Sequence, residues 1–378
     1  MTATALGLYL HIPFCRQRCD FCAFYLEIYR DKSASSFIDA LREEIRLYGR
    51  QDSARRHRVQ SIYFGGGTPT TLSAERLTSL LAEARQTFEV ADDSEISIEA
   101  HPATVSGDDL SQLVRAGFNR ISFGAESMDD GDFVSIGRPG TVDQTTQAIA
   151  LAREAGFANI NLDLMYGLPG QTLASWTHTL DRIVHLNPSH ISCYALTIED
   201  NTKLAKNIQF GSISALDEQL QIAMDETAHL LLEQAGYKRY EISNYAKPEY
   251  ACRHNLLYWT NGAYLGLGPS AQSYMDGRRF GNIADLAAYD QALSEHHLPV
   301  EAQDHLSRPE QLRDAVIFGL RLVKGIPTQD LEAHALRYGH RETLIDLRSQ
   351  KFIEEDDGRS RLTAKGRQYA DSVAEQLY

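Results

Sequence analysis

The stretch Leu8-Tyr9-Leu10-His11-Ile12-Pro13-Phe14-Cys15, continuing through Cys19 to Cys22, decides how the chain is read. A β-prone apolar run meets a proline and opens directly into the spacing C-x3-C-x2-C. Cysteine thiolates hold iron–sulfur clusters, and three at this spacing can bind a four-iron cluster while leaving one iron without a protein ligand. Such an open iron is a place to bind and reduce a small molecule. The plainer alternative, tetrahedral zinc, needs a fourth ligand, usually from a second Cys or His pair at short spacing. None lies nearby, because the remaining cysteines, Cys193 and Cys252, stand alone. Five cysteines in 378 residues make no disulfide framework either, so a reducing, cytoplasmic setting is expected.

Composition agrees. With 43% hydrophobic and 23% charged residues, the chain can bury a large core and is expected to carry about two domains. No run approaches the ~18 apolar residues of a membrane span, and Met1-Thr2-Ala3-Thr4-Ala5 lacks the basic start and apolar stretch of a signal peptide. A formal net charge of −14 disfavours a nucleic-acid partner, whose phosphates require clustered cations. The short run Arg55-Arg56-His57-Arg58 reads as a solvated loop before a strand.

Downstream, short β-branched and aromatic runs alternate with longer amphipathic segments. The strand candidates are Leu8 to Ile12, Ser61 to Phe64, Glu95 to Glu99, Arg120 to Phe123, Asn159 to Leu164 and His190 to Leu196. Helical patterns lie near residues 36 to 49, 73 to 88, 107 to 116, 142 to 155 and 173 to 186. Two of them run into Ala116-Gly117-Phe118 and Ala155-Gly156-Phe157, where glycine suits a left-handed cap before the next strand. Repeated β-α units predict an α/β fold: a parallel sheet curved into a partial or full (β/α) barrel with helices outside. From about residue 305 the pattern turns helical, with Leu312 to Leu322 amphipathic, and Asp356-Asp357-Gly358 reads as a hairpin turn. The division is drawn as a barrel over 1–300 and a small winged-helix-like α+β accessory domain over 301–378, covering one end of the barrel or meeting a partner.

Barrel chemistry sits at the C-terminal ends of the strands. Those ends carry, in order, Cys15 to Cys22, Gly65-Gly66-Gly67-Thr68, Glu99, Glu126, Asp163, and Tyr194 with Thr197. Plainer readings exist: three glycines after a strand often make only a tight turn, and Glu99 and Asp163 suit caps of the following helices. Their joint occurrence with the cysteines favours a binding face, on which glycine lets a ligand approach the backbone. Gly266-x-Gly268-x-x-Ala271 imitates a dinucleotide fingerprint, but Pro269 interrupts it and no clear β-α-β unit surrounds it.

Seven blocks then stand in one order: Leu8 to Cys15, Phe64 to Thr70, Asn119-Arg120-Ile121-Ser122, Gly137-Arg138, Asp163 to Thr172, Tyr240 to Asn244 and Arg253 to Trp259. Together they resemble the coproporphyrinogen oxidase-related branch of radical S-adenosylmethionine (SAM) proteins, the HemN/HemW group, over nearly the whole chain. The resemblance implies a [4Fe-4S] cluster on Cys15, Cys19 and Cys22, with SAM bound to the open iron and an electron donor as partner. It places Tyr9, Phe21, Gly66, Gly67, Thr68, Glu99, Glu126, Arg138 and Asp163 around SAM. Glu126 stands where relatives often carry Gln, so an anion replaces a neutral amide.

Within the group, the oxidative decarboxylase resembles C-x3-C-x2-C-x-C after a long N-terminal extension, whereas here Phe24 holds the last position and fourteen residues precede Cys15. Cys252-Arg253-His254-Asn255-Leu256-Leu257-Tyr258-Trp259 instead matches the H-N-x-x-Y-W block of HemW-type haem chaperones. That likeness implies haem as ligand, His254 as its iron ligand with Cys252 a rival, and delivery to apo-haemoproteins, with peripheral membrane contact and a homodimer both open. Coproporphyrinogen oxidase activity is not expected, although a HemN-like oxidase or methyltransferase is the alternative. Three departures touch the barrel mouth: Glu99-Ala100-His101-Pro102 for Glu-Ala-Asn-Pro, Pro139-Gly140 after Arg138, and Gln272 where His is usual.

Overall fold

The computed structural model describes residues 4–214 and 217–378; Met1 to Ala3, part of the stretch read above as no signal peptide, lie outside the described residues. Six parallel strands form the centre: β1 (Thr4–Ile12), β2 (His57–Gly66), β3 (Val90–Ala100), β4 (Arg120–Glu126), β5 (Asn159–Tyr166) and β6 (His190–Ala195). The expected helices appear between them as Asp31–Gly49, Ala74–Thr87, Gly107–Ala116, Val142–Ala155 and Leu173–Leu186. Gly117 and Gly156 close two of these at φ 104° and 106°, the left-handed conformation that their position before a strand predicts. The basic run is not a loop throughout: Asp52–Arg55 is a short helix, and His57 already opens β2, buried, while Arg56 pairs with Asp276 at 3.0 Å.

Side chains alternate across a strand with a period of two, and here the two faces differ in chemistry. Leu8 and Leu10, Ile62 and Phe64, Ile96 and Ile98, Ile121 and Phe123, and Leu162 and Leu164 all bury outward into one apolar core with the helices. The opposite parity gives Tyr9 and His11, Ser61 and Tyr63, Ser97 and Glu99, Ser122, Asn161 and Asp163, and His190 and Ser192. These polar groups bond to one another across the strands. Asn161 donates to Ser122 at 2.6 Å and to Ser192 at 3.1 Å, and His190 Nδ1 meets the Asn161 carbonyl oxygen at 2.6 Å. A polar face of this kind, lined up on parallel strands, is the inner surface of a barrel with a site in it.

The barrel is partial. Beyond β6 the sheet continues through antiparallel Asn244–Ala246 and Lys238–Arg239. Beyond β1 it continues through a seventh parallel strand, Ala263–Leu267, and then antiparallel Gln272–Met275, Arg278–Asn282 and Val300–His305. The Gly266–Ala271 stretch therefore turns one strand back into another and opens no helix, as the Pro269 argument expects. No helix among the described residues is long and apolar enough to cross a membrane.

After His305 the core changes. Val316, Leu320, Leu331, Leu344, Leu347, Ile353, Leu362 and Val373 form a separate apolar cluster. It is enclosed by helices Arg308–Gly319, Thr328–Tyr338 and Arg341–Ser349 and a three-stranded sheet of Ile326–Pro327, Arg359–Leu362 and Ile353–Asp356, a winged-helix-like α+β unit. Asp357 and Gly358 turn its hairpin at φ 48° and 70°, both positive as a two-residue primed turn requires. The last strand of the large sheet runs to His305, five residues past the 300/301 division drawn from the sequence, because that strand is polar and mostly exposed and carries little hydrophobic signal.

Candidate functional site

Pro13 ends β1, and Phe14–Cys15 pairs in parallel with Glu27–Ile28, which closes the intervening chain into a loop. Tyr29 N–H donates to the Cys15 carbonyl at 2.9 Å, and Cys22 N–H to the Cys19 carbonyl at 3.2 Å. The loop is anchored outside itself by Asp20 N–H on the Ile136 carbonyl and Leu204 N–H on the Asp20 carbonyl, both at 2.9 Å. Phe21 packs there against Ile136, Met165, Leu168, Leu196 and Leu204. Cys15, Cys19 and Cys22 are all free thiols, half-buried. Burial raises Cys15 and takes Cys19 up to about 11, with the Arg138 guanidinium opposing it at Cys19. Iron would deprotonate such thiols on binding. Among the described residues no three metal-ligating side chains converge on one point.

At the strand ends, Glu99 accepts from Tyr63 Oη at 2.9 Å and from Gly66 N–H at 3.1 Å. Asp163 accepts from Ser122 Oγ and Asn161 Nδ2, each at 2.8 Å. Neither caps a helix. Removal from water, with Asp163 adding to it, takes the Glu99 carboxyl up to about 7. Glu126, reached through a bulge in the β4–β5 register, holds a left-handed φ of 58° and stands 3.6 Å from Arg138. Burial takes it to about 7 as well, against the pull of Arg138. A non-glycine in that conformation carries strain that its surroundings must hold.

The amides of the glycine loop are engaged within the protein. Gly66, Gly67 and Thr68 donate their N–H groups to Glu99, the Ile12 carbonyl and the Phe14 carbonyl. A Cβ on Gly67 would stand 2.7 Å from the Phe14 carbonyl oxygen, so glycine is needed for the approach of this loop to the cysteine loop. Thr68 Oγ1 lies 3.3 Å from Cys15 Sγ.

Tyr9, Gly66 and Glu99 line a cavity of about 490 Å³ whose remaining walls include Tyr258, Trp259 and Phe318. Tyr258 and Trp259 end the helix Arg253–Trp259, whose start is fixed by Glu95 of β3. Glu95 accepts from Arg253 N–H at 3.0 Å, His254 N–H at 3.2 Å and Cys252 Sγ at 3.3 Å, a carboxylate on a helix N-terminus. Cys252 is fully buried, its thiol taken up to about 12 mainly by that burial. His254 does not face the cavity. It is 1% exposed, stacks on Tyr63 at 5.2 Å, and has both ring nitrogens engaged, Nδ1 with Ser61 Oγ and Nε2 with Tyr258 Oη, each at 2.8 Å. Iron ligation by His254 therefore requires Tyr258 to leave first. The sequence reading passed over His11, Tyr264 and Phe318, although His11 shares the parity of Tyr9 on β1.

Two of the departures at the mouth meet each other. His101 Nδ1 accepts from Ala103 N–H at 3.1 Å, which leaves Nε2 to donate to the Pro139 carbonyl at 3.1 Å. Gln272 lies on the cavity wall, its Nε2 donating to the Ser270 carbonyl at 3.2 Å.

A Radical SAM superfamily domain matches residues 9–183, and a HemN C-terminal domain matches residues 306–369. The solved structure of coproporphyrinogen III oxidase (HemN) from Escherichia coli, a radical SAM enzyme, superimposes with a TM-score of 0.85 at 26% identity, covering 99% of this chain and 90% of that one. The fold and the cysteine-bearing face thus define a radical SAM protein of HemN architecture. The heme chaperone HemW of Bacillus subtilis is 32% identical over 97% of both chains, and that of Escherichia coli 38% identical over 72% of both. The chain belongs to the HemW family.

Proposed function

We propose that this protein is a haem chaperone, which binds haem beside a SAM-loaded [4Fe-4S] cluster and passes it to apo-haemoproteins. The observation that carries the reading is the aromatic cavity, because it joins the strand-end residues Tyr9, Gly66 and Glu99 to the helix that ends in Tyr258-Trp259. A flat apolar macrocycle packs well against such rings. The names of the HemW relatives support it, as does Phe24, 71% exposed on the rim where the oxidase-type motif carries a further cysteine.

In this reading Cys15, Cys19 and Cys22 hold the cluster. Tyr9, Phe21, Gly66, Gly67, Thr68, Glu99, Glu126, Arg138 and Asp163 surround SAM. Glu99 and Asp163 accept from its amino or hydroxyl groups, and Arg138 suits its carboxylate. A SAM-bound cluster supplies one-electron reductive chemistry when an electron donor is present. Cytoplasmic residence, recipients at the membrane surface, a homodimer and a working division of the chain near residue 300 complete the proposal. The HemN superposition favours one second reading, a porphyrinogen-directed radical SAM enzyme.

The two separate on one preparation. Anaerobically reconstituted protein with SAM and a reductant is mixed with coproporphyrinogen III and, separately, with haem. Stoichiometric haem binding by absorbance without decarboxylated product is the expected result, and turnover to protoporphyrinogen would overturn it.

A further inference from the structure

Cations gather on the outer surface of the cysteine loop, although the chain as a whole carries a net charge of −14. Arg16 and Arg18 stand between the cysteines, and Arg30 and Lys32 follow the short strand Glu27–Ile28, whose Ile28 pairs with Cys15. All four are exposed, and among the described residues none forms an ion pair with a carboxylate. Two acids of the same segment are already matched, Asp20 by Lys203 and Asp31 by Arg76, each at 2.9 Å. The remaining acid, Glu27, accepts from Tyr25 Oη at 3.1 Å. Arg18 donates to the Cys22 and Leu26 carbonyls at 3.2 and 3.4 Å, which holds its head group against the loop.

Exposed apolar side chains stand among these cations. Ile28 is open to solvent beside Cys15, and Val134, after β4, is 82% exposed. Val134 is tied to the loop by two bonds: Gly137 N–H donates to its carbonyl at 3.2 Å, and Gln17 Nε2 donates to the Gly137 carbonyl at 3.4 Å. Apolar tips set among arginines have the composition of a protein-binding surface. We infer that this face docks an acidic one-electron carrier protein, whose carboxylates meet Arg16, Arg30 and Lys32 while its surface covers Ile28 and Val134. The inference rests on the cluster of the haem-chaperone reading. One electron passes from the carrier's reduced cofactor to that cluster, and no proton or group moves with it. Electron transfer weakens steeply with distance, so the carrier has to sit on the chain that holds the cysteines. None of the four cations lines the aromatic cavity, so docking leaves that cavity to its ligands. Complementary charge speeds and orients such an encounter, and the effect fades with salt.

The test uses full-length protein loaded with its cluster, and an acidic plant-type ferredoxin as the probe. The parent should bind the ferredoxin, more weakly as salt rises, and should ignore a basic c-type cytochrome of similar size. The double variant Arg30→Glu, Lys32→Glu should weaken ferredoxin binding about tenfold or more and flatten its salt dependence. Val134→Ser should weaken binding with the salt dependence kept. In both, cluster absorbance and SAM affinity should match the parent, and a reduced viologen should reduce the cluster at the parent rate while reduced ferredoxin does so more slowly. Equal affinity for the cytochrome, unchanged ferredoxin affinity in the double variant, or an effect of that variant confined to vesicles of phosphatidylglycerol would each overturn the carrier surface and leave the chaperone reading in place. A parent that takes the cluster and the carrier but no haem would overturn the chaperone reading alone, and a parent that assembles no cluster would overturn both.

Discussion

Two carboxyls at the strand ends, Glu99 and Glu126, are held near pKa 7 by withdrawal from water and by the nearby Asp163. For a carboxyl raised in the folded state, the folded protein binds more protons than the unfolded chain between the ordinary value of 4.5 and about 7. Stability contributed by that group is therefore greatest at low pH and falls as pH rises through this window. Glu99→Gln removes the penalty along with any hydrogen-bond change, and only the former depends on pH. The urea midpoint of Glu99→Gln relative to the parent should rise between about pH 5 and about pH 8; a difference that stays flat would show that Glu99 is ionised throughout. The sequence could flag Glu99 as a strand-end carboxylate. It could not distinguish a helix cap from an inward acid, because that choice depends on Tyr63 and Gly66 from the neighbouring strand. His11 was hidden for a similar reason. Its parity with Tyr9 becomes informative only when the inner face is known to hold a cavity.

At the scale of elements, the glycine caps give a cleaner test than the strands. Gly156 has φ 106°, and a Cβ there would meet only Val114 Cγ1 at 3.5 Å. Gly156→Ala should cost about 1 kcal/mol, the price of the left-handed conformation alone. Gly117, at φ 104°, would place a Cβ 2.5 Å from Arg85 Nη2, whose neighbour Nη1 donates to the Ala116 carbonyl at 2.9 Å. Gly117→Ala should therefore destabilise more than Gly156→Ala in urea unfolding, and equal losses would rule out the contact with Arg85. Both caps were legible as Ala-Gly-Phe before a strand, as were the six strands, because apolar outward residues alternate with polar inward ones. The seventh parallel strand was not. Ala263-Tyr264-Leu265-Gly266-Leu267 is short and contains glycine, and its partner β1 is more than two hundred and fifty residues earlier in the chain, so no local pattern announces the pairing. His101 and Pro139 were likewise read as separate departures, although one hydrogen bond joins them.

Across the whole molecule, the C-terminal unit is part of the site. Phe318, on the helix Arg308–Gly319, forms a wall of the cavity, and Asn261 Nδ2 donates to the Gln311 carbonyl at 3.3 Å close by. Phe318→Ala should lower haem retention on a desalting column while leaving cluster absorbance and SAM affinity as in the parent. Loss of the cluster instead would mean that the unit supports the barrel rather than the cavity. The open sheet has a further consequence. A barrel that does not close leaves two strands with unsatisfied backbone groups, each a template for another chain to add itself. One border here is only the two residues Lys238–Arg239, and the other, Val300–His305, carries Glu301 and Asp304 on a strand almost wholly in solvent. Brevity and like charge are ordinary defences against runaway strand addition, so the open barrel is flanked by borders that resist recruiting a second sheet.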